Sequence, residues 1–163
     1  DFVYVNADSA KTYGADINMQ IRLPFDLTLK GTYSYVYDDT KIKGRRSSYV
    51  RPHTAVMQAE YSRKFGNCRA TLGLNGRWMS GVDYWATSYV SKKRVFTKLE
   101  LNDYMIWKLN ASCRFPKGVT LNIGIDNLFN TKDDNFSDLY AIFSRGTEFV
   151  ANLSVNIAEL IGK

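Results

Sequence analysis

Thr12-Tyr13-Gly14-Ala15-Asp16-Ile17-Asn18-Met19-Gln20-Ile21-Arg22-Leu23 sets apolar Tyr13, Ala15, Ile17, Met19, Ile21 and Leu23 against Gly14, Asp16, Asn18, Gln20 and Arg22. Side chains alternate between the two faces of a β-strand, whereas a helix face recurs every ~3.6 residues. The stretch therefore reads as an extended strand with one apolar and one polar face. The same alternation returns six more times. It runs through Leu27, Leu29, Gly31, Tyr33, Tyr35 and Tyr37, then Ala55, Met57, Ala59 and Tyr61, then Ala70, Leu72, Leu74 and Trp78. Met105, Trp107, Leu109, Ala111 and Cys113 follow, then Val119, Leu121, Ile123 and Ile125, and finally Phe149, Ala151, Leu153, Val155 and Ile157. With a short first segment at Phe2 to Asn6, the pattern predicts an all-β chain of about eight antiparallel strands.

The connections come in two alternating kinds. Leu23-Pro24-Phe25-Asp26, Phe65-Gly66-Asn67 and Phe115-Pro116-Lys117-Gly118 are tight turns, while 38–52, 82–95 and 130–144 are long and polar. If consecutive strands are antiparallel neighbours, all tight turns fall at one end of the sheet and all long segments at the other. A transmembrane β-barrel has that asymmetry, with short periplasmic turns and long extracellular loops. A soluble β-sandwich shows the same alternation within strands, so three further features separate the two. Aromatic residues gather near strand ends, Phe25, Tyr61, Phe65 and Phe115 on the turn side and Tyr37, Tyr84 and Trp85 on the loop side, as two interfacial girdles require. The strands are long enough, at ~9–11 residues, to cross a bilayer at a tilt. The three prolines sit outside the alternating runs, as in a sheet whose ladders are intact.

Composition bounds the rest. The 163 residues suffice for one domain, 1–163, and the 14% aromatic content argues against disorder. No apolar run approaches the ~18 residues of a membrane-spanning helix, and mean hydropathy is −0.31, which excludes a helical membrane protein but leaves a barrel open. A net charge of +6 suits anionic lipid, lipopolysaccharide or an anionic ligand. The basic residues form no dense stripe of the kind a nucleic-acid module carries, so no nucleic-acid partner is expected. The chain opens at Asp1 without a basic or apolar leader, so removal of a signal peptide or derivation from a longer protein is expected.

Tyr4-Val5-Asn6-Ala7 followed by Thr12-Tyr13-Gly14-Ala15-Asp16, the Arg51-Pro52-His53-Thr54 strand start, and above all Gly124-Ile125-Asp126-Asn127-Leu128-Phe129-Asn130 resemble the C-terminal barrel strands of TonB-dependent outer-membrane receptors across essentially the whole chain. Such receptors are barrels of about 22 strands with a plugged lumen. The resemblance implies a location in the bacterial outer membrane and a role in importing a metal chelate of the siderophore, haem or cobalamin class. It also implies that these strands are the last of the barrel, and that a plug domain, absent from this sequence, couples to TonB. The sequence departs from the family pattern in its Arg145-Gly146 order and in running on through Ala158 to Lys163. The alternatives are a self-contained eight-stranded outer-membrane barrel with a structural or adhesive role, and a soluble ligand-binding β-sandwich.

An enzyme is not expected. His53 is the single histidine and sits at a strand start, where a polar lumen or rim position accounts for it, and no glycine-rich phosphate loop is present. No cofactor or metal site is assigned; Asp133, Asp134, Asn135 and Asp138 lack the spacing of a calcium loop and read as solvated residues. Cys68 and Cys113 share the apolar parity at the turn ends of consecutive strands, and the favoured reading is two free thiols facing lipid, with a cross-strand disulfide as the alternative. Charged residues of the polar parity, among them Asp16, Arg22, Lys30, Lys108 and Asp126, would cost ~2–4 kcal/mol each for Arg or Lys against hydrocarbon and are expected to face the lumen. Ligand contact is expected on the loop side, where Arg45, Arg46, Tyr49, Tyr84, Trp85, Lys92, Lys93 and Arg94 combine cations with aromatic faces suited to an anionic, partly aromatic chelate. Basic loops resting on lipopolysaccharide phosphates are the competing account of the same residues.

Overall fold

The structure, a computed structural model, describes residues 7–90, 93–132 and 146–160. The expected strand at 2–6, Lys92, the acidic positions 133–138 and Arg145 lie outside the described residues. In chain order the strands are β1 (Thr12–Leu23), β2 (Leu27–Asp38), β3 (Lys41–Ile42), β4 (Arg45–Arg46), β5 (His53–Phe65), β6 (Cys68–Met79), β7 (Val82–Val90), β8 (Lys93–Leu101), β9 (Tyr104–Arg114), β10 (Val119–Asp126) and β11 (Glu148–Val155). One short helix, α1 (Ile157–Leu160), closes the described part.

Seven of the strands form one antiparallel sheet in the order β1-β2-β5-β6-β9-β10-β11, each wall strand beside the next in sequence. Register carries the apolar rows across it without a break. Ile17 lies opposite Tyr33, Tyr33 opposite Ala55, Ala55 opposite Trp78 and Trp78 opposite Met105; farther along, Leu74 faces Leu109, Leu109 faces Ile125 and Ile125 faces Phe149. A slip by one residue at any pairing would send that strand's apolar set to the other face, so the patterning excludes every odd slip, and the turns fix which of the remaining registers forms. The polar rows align just as well: Gln20, Lys30, Gln58, Asn75 and Lys108 stand abreast. On this face Lys108 pairs with Asp126 at 3.0 Å.

The apolar face is bare. Ile17 is 66% exposed, Leu153 66%, Ile123 51% and Leu72 48%, whereas a sandwich would bury these side chains under a second sheet. Among the described residues no second layer covers them, and β1 and β11, at the two edges, do not pair with each other. The described strands are thus an arc of barrel wall.

The tight turns fall together at one end. Phe25 and Asp26, Gly66, and Lys117 and Gly118 all have positive φ there, between 54° and 70°. Two expectations are corrected at this end. Cys68 and Cys113 are joined as a disulfide with Cα atoms 5.8 Å apart, in place of free thiols; Cys113 pairs with Ala70, which makes Cys68 its diagonal neighbour on the same face and within bridging range. The last strand stops at Val155 rather than Ile157, because Asn156 Oδ1 accepts hydrogen bonds from the Ala158 and Glu159 amides and starts α1. At the other end of β5, His53 sits at the rim on the apolar parity, its Nδ1 2.7 Å from the Tyr33 hydroxyl.

At the opposite end, Asn127 ends β10 with φ 51° and is buried. Its side chain brackets Thr131, accepting from the Thr131 amide at 2.8 Å and donating to the Thr131 carbonyl at 2.9 Å. The Leu128 amide bonds Trp107 O and the Phe129 ring meets Trp107 edge-on, so the Asn-Leu-Phe-Asn run hooks the outgoing chain onto β9. Of the segments expected as long polar connections, 82–95 is largely paired in β7 and β8, and 38–52 carries the short pair β3–β4. β3 and β4 form a hairpin through Lys43 and Gly44, both at positive φ as a two-residue hairpin turn requires.

Candidate functional site

The loop-side site is built on a continuation of the wall. Met79 lies opposite Tyr104, and Val82 opposite Leu101, three residues further along each strand, so β6–β7 and β8–β9 make one long hairpin in a single register. Its ladder is open at 80–81 and 102–103. Arg51 fills that opening: Nη1 donates to Ser80 O at 2.5 Å and to Asn102 O at 2.6 Å, and the guanidinium lies over the Tyr104 ring at 4.8 Å. A second tie, from the His53 amide to Ser80 Oγ at 3.0 Å, holds the base of the hairpin to the start of β5. The raised hairpin is therefore anchored to the wall by a buried cation.

Alternation then sorts the hairpin's side chains. Val82 and Tyr84 point to one side and are buried, Tyr84 against the edge of Tyr49 with ring centroids 6.2 Å apart. Trp85 and Phe96 point to the other, near each other diagonally across the pair. Arg45, delivered by the β3–β4 hairpin, places its guanidinium 4.5 Å from the Trp85 ring centroid and 4.7 Å from that of Phe96. Among the described residues it makes no hydrogen bond or ion pair, and two π faces hold the cation. The β3–β4 hairpin is itself fixed: the Gly44 amide donates to Asp8 Oδ2 at 2.9 Å, and Lys41 pairs with Asp39 at 2.8 Å, which raises the Lys41 pKa.

The expected residues thus separate. Arg45 and Trp85 come together. Arg46, one residue on, faces a different cleft of about 620 Å³ shared with Asp83, Glu100 and Asp103, whose carboxylates disfavour an anion. Lys98 crosses to Glu100 and to Asp83 at 3.1 Å, and its pKa is raised by Glu100 and then Asp83. Lys93 and Arg94 begin β8, opposite Val90 and Tyr89, with Arg94 two residues from Phe96 on the same strand. Tyr84 and Trp85, expected in the interfacial girdle, stand beyond the wall, and the loop-side aromatic band is carried instead by Tyr13 stacked on Tyr37 at 4.7 Å and by Tyr33 and Tyr35 beside His53. Sequence reading missed Phe96 and Arg51. Val95-Phe96-Thr97 beside Val82-Asp83-Tyr84 was the available sign of a strand pair, and Arg51 had no local sign, because its partners lie 29 and 51 residues away.

A family model described as the β-barrel of TonB-dependent receptor-like proteins matches residues 1–128. No curated protein matches the sequence. Among solved structures, Pseudomonas aeruginosa FpvA carrying an iron-loaded heterologous pyoverdine superposes with a TM-score of 0.63 at 18% identity, over 87% of this chain and 19% of that one. The ferripyoverdine receptor of the P. aeruginosa outer membrane bound to ferripyoverdine gives 0.65 at 17% identity, over 86% and 19%. FpvAI in complex with pyocin S2 gives 0.64 at 18%, over 87% and 19%. At that identity the likeness is one of fold, and the chain spans about a fifth of the length of those receptors.

Proposed function

We propose, from the premise that this chain belongs to the TonB-dependent receptor-like β-barrel family, that it forms the C-terminal wall strands and outer loops of an outer-membrane receptor that takes up a metal chelate of the siderophore class. The observation that carries the reading is Arg45 held over Trp85 and Phe96, with no hydrogen-bond or ion-pair partner among the described residues, on a hairpin raised above the loop end of the wall. An anionic ferric chelate with a planar chromophore or catecholate rings matches that surface, the charge meeting Arg45 and the ring stacking beside the indole. The role is binding and passage rather than catalysis. Energy coupling through TonB belongs to a plug domain outside this sequence, and the surrounding basic loops rest on lipopolysaccharide. The resemblance of fold to ferripyoverdine receptors supports ferripyoverdine as the first probe.

The test is titration of the full-length receptor in detergent with ferripyoverdine, haem and cobalamin, followed by tryptophan fluorescence. Saturable quenching by the ferric siderophore is expected. Arg45→Ala removes a charge-assisted contact of ~1.5–3 kcal/mol and should weaken binding by roughly 10- to 150-fold. Trp85→Ala should abolish most of the quenching. Saturable binding of haem or cobalamin alone, or siderophore binding that is indifferent to Arg45→Ala, would overturn the assignment.

A further inference from the structure

The apolar rows of the wall carry a single permanent charge among the described residues. Arg63 belongs to β5, between Tyr61 and Phe65, on the parity of Ala55, Met57 and Ala59. It is exposed, and it lies directly opposite Ala70. A cation on this face is costly near the membrane midplane and cheap near its edge. Arg63 is two residues from the turn-side end of β5, which at ~3.3 Å per residue and a tilt of ~40° places it roughly 5 Å inside that end, at headgroup depth.

Beside it the wall is hollowed. A groove of about 390 Å³ runs over the small side chains Ala70 and Ala111 and the Cys113 end of the disulfide, banked by Tyr61 and Phe65 on one side and by Leu121 and Ile123 on the other. Both rings on that side flank Arg63 in sequence, and Arg63 lies opposite Ala70 of the groove floor, so the cation stands along the bank of the groove. No carboxylate forms an ion pair with Arg63 among the described residues; the Tyr61 hydroxyl adjoins it and Asp26 lies farther off. A guanidinium that meets the Tyr61 hydroxyl and no paired carboxylate among the described residues, at headgroup depth beside an apolar trough, has the charge and shape of one partner.

We propose that this site holds a glycerophospholipid of the periplasmic leaflet, its phosphate on Arg63 and one acyl chain in the groove over Ala70 and Ala111. The proposal rests on the outer-membrane reading above. Lodged at the Cys68–Cys113 strand junction, the lipid fills the surface that small residues leave bare between β5, β6, β9 and β10.

Native mass spectrometry of the full-length receptor tests it, with the protein extracted from outer membranes in mild detergent and titrated with phosphatidylglycerol, phosphatidylethanolamine and glycerol phosphate. One tightly retained phospholipid per barrel is expected, with no retention of acyl-free glycerol phosphate. Arg63→Gln should lower that retention at least tenfold, and so, independently, should Ala111→Leu, which fills the trough; if either variant does not fold by heat-modifiable gel mobility, the other decides. Folded variants that retain phospholipid as the parent does, or glycerol phosphate binding as well as the intact lipid, would overturn the proposal. A receptor absent from the outer-membrane fraction would instead overturn the membrane reading beneath it.

Discussion

Leu72→Arg places a charge on the bare face of the wall and measures what that face meets. Leu72 is the fifth residue of β6, near the middle of the strand, opposite Tyr61 on one side and Ala111 on the other, and is 48% exposed. If the face meets hydrocarbon, an arginine here costs ~2–4 kcal/mol, falling toward 0–1 only at the interfaces. That is roughly 30- to 1000-fold in the folding equilibrium. The assay is urea-dependent folding of the full-length receptor into phospholipid vesicles, followed by tryptophan fluorescence and heat-modifiable mobility. Asn122→Arg is the matched control. It lies opposite Ser112 and Asn152 on the polar face, where water or other polar groups solvate the guanidinium, and a change below ~1 kcal/mol is expected. Equal urea midpoints for Leu72→Arg and the parent would refute the assigned facing, and so would equal losses in the two variants.

Two further outcomes follow from particular contacts. The Cys68–Cys113 bridge closes a loop with a sequence separation of 45, for which chain entropy gives an upper value of about 4 kcal/mol; Cys113→Ser should lower the urea midpoint accordingly, and thiol alkylation of unreduced, unfolded parent should label neither cysteine. Labelling of both would show that the bridge does not form. Arg51→Ala strips a buried cation from the Ser80 and Asn102 carbonyls, at ~1.5–3 kcal/mol for each charge-assisted bond, so limited proteolysis between 82 and 101 should accelerate by at least about tenfold while the wall strands stay resistant. Unchanged cleavage would mean that the hairpin is held by its own ladder alone.

The wall strands were legible in the sequence because period-two patterning is a local property. Tyr13 to Leu23 shows its two faces without reference to any other residue, and a strand with two distinct faces excludes every odd slip against an equally patterned neighbour. The turn end was legible for the same reason: Gly66 and the Pro-Lys-Gly of 116–118 supply the backbone geometry of tight turns by themselves. The loop hairpin was harder to see, because Val82, Tyr84, Val95 and Leu99 are interleaved with lysines and carboxylates that pair across the strands instead of marking a polar connection.

Patterning along the chain is enough to give an all-β chain with an apolar and a polar face, tight turns at one end, long polar connections at the other, and aromatics near both. Packing between distant segments settles that Arg45 rather than Arg46 meets Trp85, that Phe96 completes the cluster, that Arg51 locks the hairpin, that Cys68 reaches Cys113, and that Arg63 stands beside an apolar groove. Each of these joins residues tens of positions apart through strand register and side-chain direction. A one-residue change in either exchanges the partners, and patterning along a single segment carries no record of that choice.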